Sequence, residues 1–251
     1  MTKHVITRAT LQDDAMRRMM QASAPDLRLL TDAERAASLT ATLAARPDSG
    51  PENGVWLFAY GSLIWNPALE YDDRRFARIH GWHRSFCLST RAGRGTPDNP
   101  GLVLGLDRGG ACTGAAFHIP EPAMDTELGL LWRREMLAGS YQPRWVALRN
   151  EAGAVFARAI AFTIHRTHES YCGGLSRDEL VRRLSSAAGA LGSSAEYLFN
   201  TRDGLRSLGI RDPAIEDLAR QVERRTPPAP HPSAPNPPAP NPSTPPPAIA
   251  I

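Results

Sequence analysis

Val55-Trp56-Leu57-Phe58-Ala59-Tyr60-Gly61-Ser62-Leu63-Ile64-Trp65-Asn66-Pro67 is the stretch whose reading decides the fold. It opens with an unbroken apolar run from Val55 to Tyr60. A run so short and dense reads as a buried strand, although periodicity alone also permits a helix. The run breaks at Gly61-Ser62, where glycine allows backbone angles that other residues avoid. A strand is therefore expected to feed a tight loop whose N–H groups lie beside small side chains. Such a loop holds a carboxylate or a phosphate by backbone donors, without lysine or arginine. Pro67 has no N–H and ends any ladder pairing.

Working outward, residues 76–90, 102–106, 112–119, 144–149 and 155–165 also read as strands. Residues 107–110 and 150–153 have the composition of hairpin turns, and residues 93–101 that of a long loop. Six strands joined by short hairpins imply a small, mainly antiparallel sheet curled toward a barrel. One helix interrupts them. It opens at Glu121-Pro122, runs to about Leu137 and stops before Gly139. Leu128, Leu131 and Trp132 form its apolar stripe. Glu135 follows Leu131 by four residues and Trp132 by three, so it joins that stripe and not the solvated face.

The flanks read differently. Residues 1–54 are polar and helical in parts: residues 11–22 are rich in helix formers, and Thr31-Asp32-Ala33-Glu34 is a capping box opening a helix to about Ala45. Residues 46–51 have a linker's composition. This extension is expected to pack on the main domain or to mediate a contact. Residues 176–225 are helical, with capping boxes at Ser176-Arg177-Asp178-Glu179 and Ser193-Ser194-Ala195-Glu196 and a third start at Asp212-Pro213. Residues 226–251 hold twelve of the chain's 22 prolines and read as a disordered or polyproline-like tail. The expected organisation is an α+β domain over 55–225, with a helical extension over 1–54 and a tail over 226–251.

A chain of 251 residues is long enough to bury a sizeable core. Its 29 basic and 26 acidic residues give a formal charge of +3, which makes no case for a nucleic-acid partner. Cys87, Cys112 and Cys172 form no CxxC pair, which argues against a disulfide framework and fits a reducing cytoplasm. No signal-peptide core and no apolar run of membrane-spanning length is present, so a soluble cytoplasmic protein without a membrane partner is expected. Nothing in the composition sets an oligomeric state.

Glu135 is the leading candidate for chemistry. A carboxylate on an apolar stripe is desolvated, desolvation raises its pKa, and a raised pKa suits a general base working near neutrality. Pairing with Arg133, Arg134 or another arginine is the structural alternative, and from composition alone the commoner one. Ser62 lacks the flanking glycines of a nucleophile elbow, since Tyr60 and Ile64 stand there, so a loop or anion-binding role is expected. His165, His168 and Cys172 lack a second pair that would complete a metal site, and read as loop residues. Cys87 reads as core. Gly93-x-Gly95 opens no helix and is not a dinucleotide fingerprint.

Several motifs, in order, resemble the ChaC family of glutathione-specific gamma-glutamylcyclotransferases. They are Phe58-Ala59-Tyr60-Gly61-Ser62-Leu63-Ile64-Trp65, Gly81-Trp82-His83-Arg84, Arg91-Ala92-Gly93-Arg94-Gly95-Thr96-Pro97, Trp132-Arg133-Arg134-Glu135-Met136 with Gly139 and Tyr141, and Ala195-Glu196-Tyr197-Leu198-Phe199. The resemblance spans about residues 55–222 and is strongest to the bacterial branch. It implies a small barrel flanked by helices, and a lyase that cleaves glutathione to 5-oxoproline and cysteinylglycine. It implies no metal or organic cofactor. By position, Glu135 is similar to the family's catalytic proton acceptor. Ala59, Tyr60, Gly61, Ser62, Leu63 and Ile64 are similar to its substrate loop, and Tyr141 and Tyr197 to pocket-lining positions. The rival expectations are a cyclotransferase acting on other gamma-glutamyl amines or amino acids, and a glutathione-binding module without turnover.

Overall fold

A computed structural model describes residues 5–47 and 53–225. Its strands are β1 (Gly54–Ala59), β2 (Asp73–Thr90), β3 (Gly101–Pro120), β4 (Tyr141–Arg149) and β5 (Val155–Ile164). They close into a barrel in the order β1-β3-β2-β4-β5. β1 is buried along its whole length. It pairs antiparallel with β3, Val55 opposite Ile119 and Ala59 opposite Ala115, and parallel with β5. A strand with neighbours on both edges and packing on both faces has no side left for polar residues, which is why its run is apolar without alternation. The remaining long pairings, β2 with β3 and β4 with β5, are antiparallel.

The barrel corrects one sequence expectation. Residues 107–110 do not form a hairpin turn; they lie inside β3, a single strand of 20 residues, so five strands build the barrel instead of six. Gly109 and Gly110 do take positive φ, +100° and +69°. The opposite strand also carries a register shift, between His80 and Trp82, around Gly81 at φ +82°. The glycines are spent on a bulge shared by two long strands, which bends the pair without reversing the chain. Residues 150–153 do form the expected turn between β4 and β5, closed by Gly153 N donating to Asn150 O at 2.9 Å.

The helices are α1 (Arg8–Gln12), α2 (Ala15–Ser23), α3 (Asp32–Ala44), α4 (Ser62–Trp65), α5 (Met124–Glu135), α6 (Arg177–Ser186), α7 (Ser194–Ser207) and α8 (Pro213–Arg225). Asp14, at φ +58°, splits the expected first helix in two. Thr31 caps α3 in a reciprocal box with Glu34. Ser176 and Ser193 accept from Glu179 N and Glu196 N to open α6 and α7. Asp212 accepts from Ala214 N and Ile215 N ahead of Pro213. α5 is preceded by a 3-10 turn over Glu121–Ala123 and ends at Glu135, two residues before the expected Leu137. The tail over 226–251 and residues 48–51 of the linker lie outside the described residues. Among the described residues no helix is long and apolar enough to cross a membrane.

The N-terminal helices pack on the outside of the barrel, against α5. Trp132 Nε1 donates to Ser38 Oγ at 3.2 Å and Trp145 Nε1 to Thr42 O at 2.8 Å. The Trp132 ring meets Phe162 edge-on at 5.1 Å, so α5 is clamped between α3 and the barrel core. This places the C-terminal end of α5 beside the C-terminal end of β1.

Candidate active site

Three turns of chain converge at that point. β1 delivers Tyr60 and Gly61, and α4 starts immediately after. Gly61 has an ordinary φ of −139°, so the demand for glycine here is one of space. A Cβ on it would sit 2.9 Å from Tyr197 Oη and 3.6 Å from a Leu104 methyl. The first bond of the new turn runs from Ile64 N to Gly61 O at 2.9 Å. The N–H groups of Ser62 and Leu63 therefore occupy first-turn positions with no acceptor inside the helix.

Glu135 is the last residue of α5, and its side chain is only 13 % exposed. Its Oε1 is the only buried side-chain nitrogen or oxygen, among the described residues, without a hydrogen-bond partner. Arg134 Nε lies 3.0 Å from it, an ion pair between neighbours in the chain. Burial pushes the Glu135 carboxyl above the ordinary carboxylate range, with the Arg134 charge pulling the other way. A helix C-terminus also presents its negative end to that carboxylate. The expected pairing with a neighbouring arginine thus exists, yet desolvation outweighs it.

Arg134 is itself buried and binds the turn as well as the acid. Its Nη2 donates to Ser62 Oγ at 3.0 Å, and its Nη1 to Asn66 O at 2.6 Å and to Pro67 O at 3.2 Å. One planar guanidinium therefore fixes Glu135 relative to the loop after β1. Sequence reasoning gave Arg134 no such part, and its adjacency to Glu135 is the one local signal.

Three phenols surround the acid. Tyr60 donates to Phe162 O at 2.8 Å and Tyr141 to Leu104 O at 2.7 Å. Tyr197 reaches Ser62 and the Leu104 backbone. Burial pushes all three hydroxyls up, and the Glu135 charge adds to each, so they remain protonated in the neutral range.

Ser62, Arg134, Glu135, Tyr141 and Tyr197 line a cavity of about 330 Å³. That volume is within the roughly 300–1,000 Å³ usual for small-molecule sites. A smaller recess opens beside it, lined by Tyr60, Gly61, Ser62, Leu63, Glu135, Tyr141 and Tyr197 among others. Ala59 and Ile64 line neither. Ala59 is fully buried in the β1–β3 pairing, and Ile64 packs toward α7 near Gly204. Strand alternation and the short α4 turn them into the core, so they hold the loop from behind.

The other candidates fall elsewhere. His168 Nε2 lies 3.0 Å from Ala138 O and His165 Nδ1 3.4 Å from Gly139 O, bracing the chain after α5. Cys87 is fully buried, and burial pushes its thiol up to about 12. Arg94 faces the cavity with its guanidinium 5.7 Å from the Tyr197 ring centre, a placement that sequence reading missed.

The closed five-strand barrel flanked by helices is the gamma-glutamylcyclotransferase fold. A crystal structure of a yeast gamma-glutamyl cyclotransferase specific to glutathione matches it with a TM-score of 0.62 at 22% identity, over 70% of this chain and 98% of that one. The chain belongs to the ChaC-like family, whose family model matches residues 55–225. It is 45% identical to the glutathione-specific gamma-glutamylcyclotransferase of Escherichia coli strain K12, over 78% of this chain and 84% of that protein. It is 28% identical to glutathione-specific gamma-glutamylcyclotransferase 1 of Homo sapiens, over 65% of this chain and 75% of that one.

Proposed function

We propose that this protein cleaves glutathione by cyclising its gamma-glutamyl group, releasing 5-oxoproline and L-cysteinylglycine. The observation that carries the reading is the Glu135 oxygen: buried, without a donor, and tied through Arg134 to the loop after β1. The gamma-glutamyl amine is mostly protonated at neutral pH and cannot attack. Glu135 takes that proton, and its burial, by raising its pKa, favours the form that carries it until it is passed on.

The freed amine then forms a C–N bond to the gamma carbonyl of the same molecule. A five-membered ring closes, and the bond to the cysteinyl nitrogen breaks. Protonated Glu135 returns its proton to that departing nitrogen, and the second proton, lost by the new ring nitrogen, leaves the released amine as an ammonium group. Nucleophile and electrophile share one molecule, so holding the folded conformer is worth an effective molarity on the order of 10⁵ M or more. The reaction is redox-neutral.

In this reading the loop from Ala59 to Ile64 is the substrate loop. The N–H groups at Gly61-Ser62 and Leu63 receive the alpha-carboxylate, with Ala59 and Ile64 fixing the loop's position. Tyr141 and Tyr197 line the cavity beside the head group as neutral hydroxyls. The free state of Cys87, Cys112 and Cys172 fits a reducing cytoplasm, where we place the reaction. Incubating the purified protein with glutathione and identifying the products by mass spectrometry tests the proposal. Equimolar 5-oxoproline and cysteinylglycine are expected; intact glutathione after prolonged incubation would exclude it.

A further inference from the structure

The cavity has a wall that the family-matched region does not supply. Val5, Ile6, Met16, Met20 and Leu27 line it together with Glu135 and Tyr141, and all five lie before residue 55. Met16 and Met20 are one helical turn apart on α2, and both are half-buried. Met19, three residues after Met16, is buried and does not line the cavity. Met16 and Met20 thus line the cavity from successive turns of one helix.

This N-terminal strap, residues 5–30, is fastened at several points to the elements that carry the site. Arg8 grips the buried carboxylate of Glu127 on α5 with both nitrogens, each at 2.7 Å. Arg133, the neighbour of Arg134, donates to Gln12 O at 2.9 Å. Asn66 Nδ2 donates to Ile6 O at 3.0 Å, and Leu30 N to Leu137 O at 2.8 Å. Arg91 meets Asp26 at 2.8 Å. Consecutive arginines on α5 therefore hold the two sides of the cavity: Arg133 the strap and Arg134 the loop after β1.

We infer that the strap is the subsite for the leaving half of the substrate, with Met16, Met20 and Leu27 enclosing the side chain of the residue released from the gamma carbonyl. The inference rests on the cyclotransferase reading above. The polar groups of the cavity, Ser62, Arg134, Glu135, Tyr141 and Tyr197, suit the gamma-glutamyl head, whose chemistry is the same in every gamma-glutamyl compound. Discrimination must then come from what the departing amine carries. An apolar, sulfur-bearing wall takes a small side chain ending in a thiol better than a charged or strongly polar one. Methionine is polarizable and adapts its shape to such a group.

The test uses the full chain and compares kcat/KM for 5-oxoproline release from glutathione and from gamma-glutamylalanine. Gamma-glutamylalanine keeps the head but lacks the thiol and the glycine. In the M16Q/M20Q variant, the wild-type preference for glutathione is expected to fall about tenfold, with the loss on the glutathione side. Met20→Gln alone, a smaller change, is expected to lose part of that preference. Met19→Leu, at a buried position on α2 that does not line the cavity, should keep the wild-type ratio. Circular dichroism and melting temperature show that each variant is folded. A wild-type ratio in folded M16Q/M20Q overturns the role of the strap while leaving the cyclotransferase reading intact. A wild-type protein that releases 5-oxoproline from neither compound overturns both.

Discussion

The two walls of the cavity are built on opposite principles. The wall around Gly61 is made of backbone and of phenols already committed to carbonyl acceptors: Tyr60 to Phe162 O and Tyr141 to Leu104 O. It is rigid, polar and drawn from a strand buried on every side. The other wall is made of half-buried methionines on α2 and of Leu27 in the loop after it, fastened by arginines at the periphery. Such side chains repack easily, whereas an oriented N–H cannot. The difference assigns them different tasks in one reaction. A fixed wall holds the part of the substrate that must form a ring, and an adaptable one meets the part that leaves.

The contrast can be broken at either wall. With the base left in place, the largest loss is expected on the rigid side. In Gly61→Val the new Cβ would enter a space where Tyr197 Oη already lies at 2.9 Å. We expect kcat/KM for glutathione to drop about 100-fold, the equivalent of roughly 3 kcal/mol. Steady-state kinetics giving a wild-type value would show that the turn does not approach the substrate.

Arg134 sharpens the comparison, because it joins the rigid wall to the base. Its positive charge favours the ionised form of Glu135. Without that charge Glu135 holds its proton to higher pH, so the base is available only in more alkaline solution. Arg134→Met is therefore expected to shift the acid limb of the kcat/KM profile to higher pH and to lower the plateau about tenfold. Arg134→Lys, which keeps the charge, should leave the limb near its wild-type position. An unmoved limb in the methionine variant would mean that another group sets the profile.

The smallest effects on turnover are expected at the strap's outer fastenings. Arg8→Ala leaves the Glu127 carboxylate, 1 % exposed, with its contact to Glu70 N but without its cation. A loss of about 1–3 kcal/mol in unfolding free energy is expected, measured by urea titration, with only a few-fold change in turnover. Unchanged stability would show that the strap is not held at this point.

What the sequence revealed and what it concealed also divides along the two walls. β1, the caps at Thr31, Ser176 and Ser193, and the stripe position of Glu135 are local patterns, and each was legible from a few neighbouring residues. β3 was misread because Asp107-Arg108-Gly109-Gly110 has turn chemistry, and only the partner strand turns it into a bulge. Arg134 was missed because its acceptors, Ser62, Asn66 and Pro67, lie about 70 residues away in the chain. Met16 and Met20 were unreadable as a cavity wall for a plainer reason. Half-buried methionines on a short helix have the same pattern whether they meet the core or a substrate.

The central claim is that the sheltered carboxyl of Glu135 shuttles the proton that lets glutathione cyclise. Its most direct test is to measure glutathione binding by calorimetry and 5-oxoproline release by mass spectrometry on one preparation of Glu135→Gln. General acid–base catalysis is worth about 10²–10⁴-fold, so turnover is expected to fall at least about 10³-fold with an affinity close to that of the wild type. Release of 5-oxoproline at the wild-type rate would contradict the account.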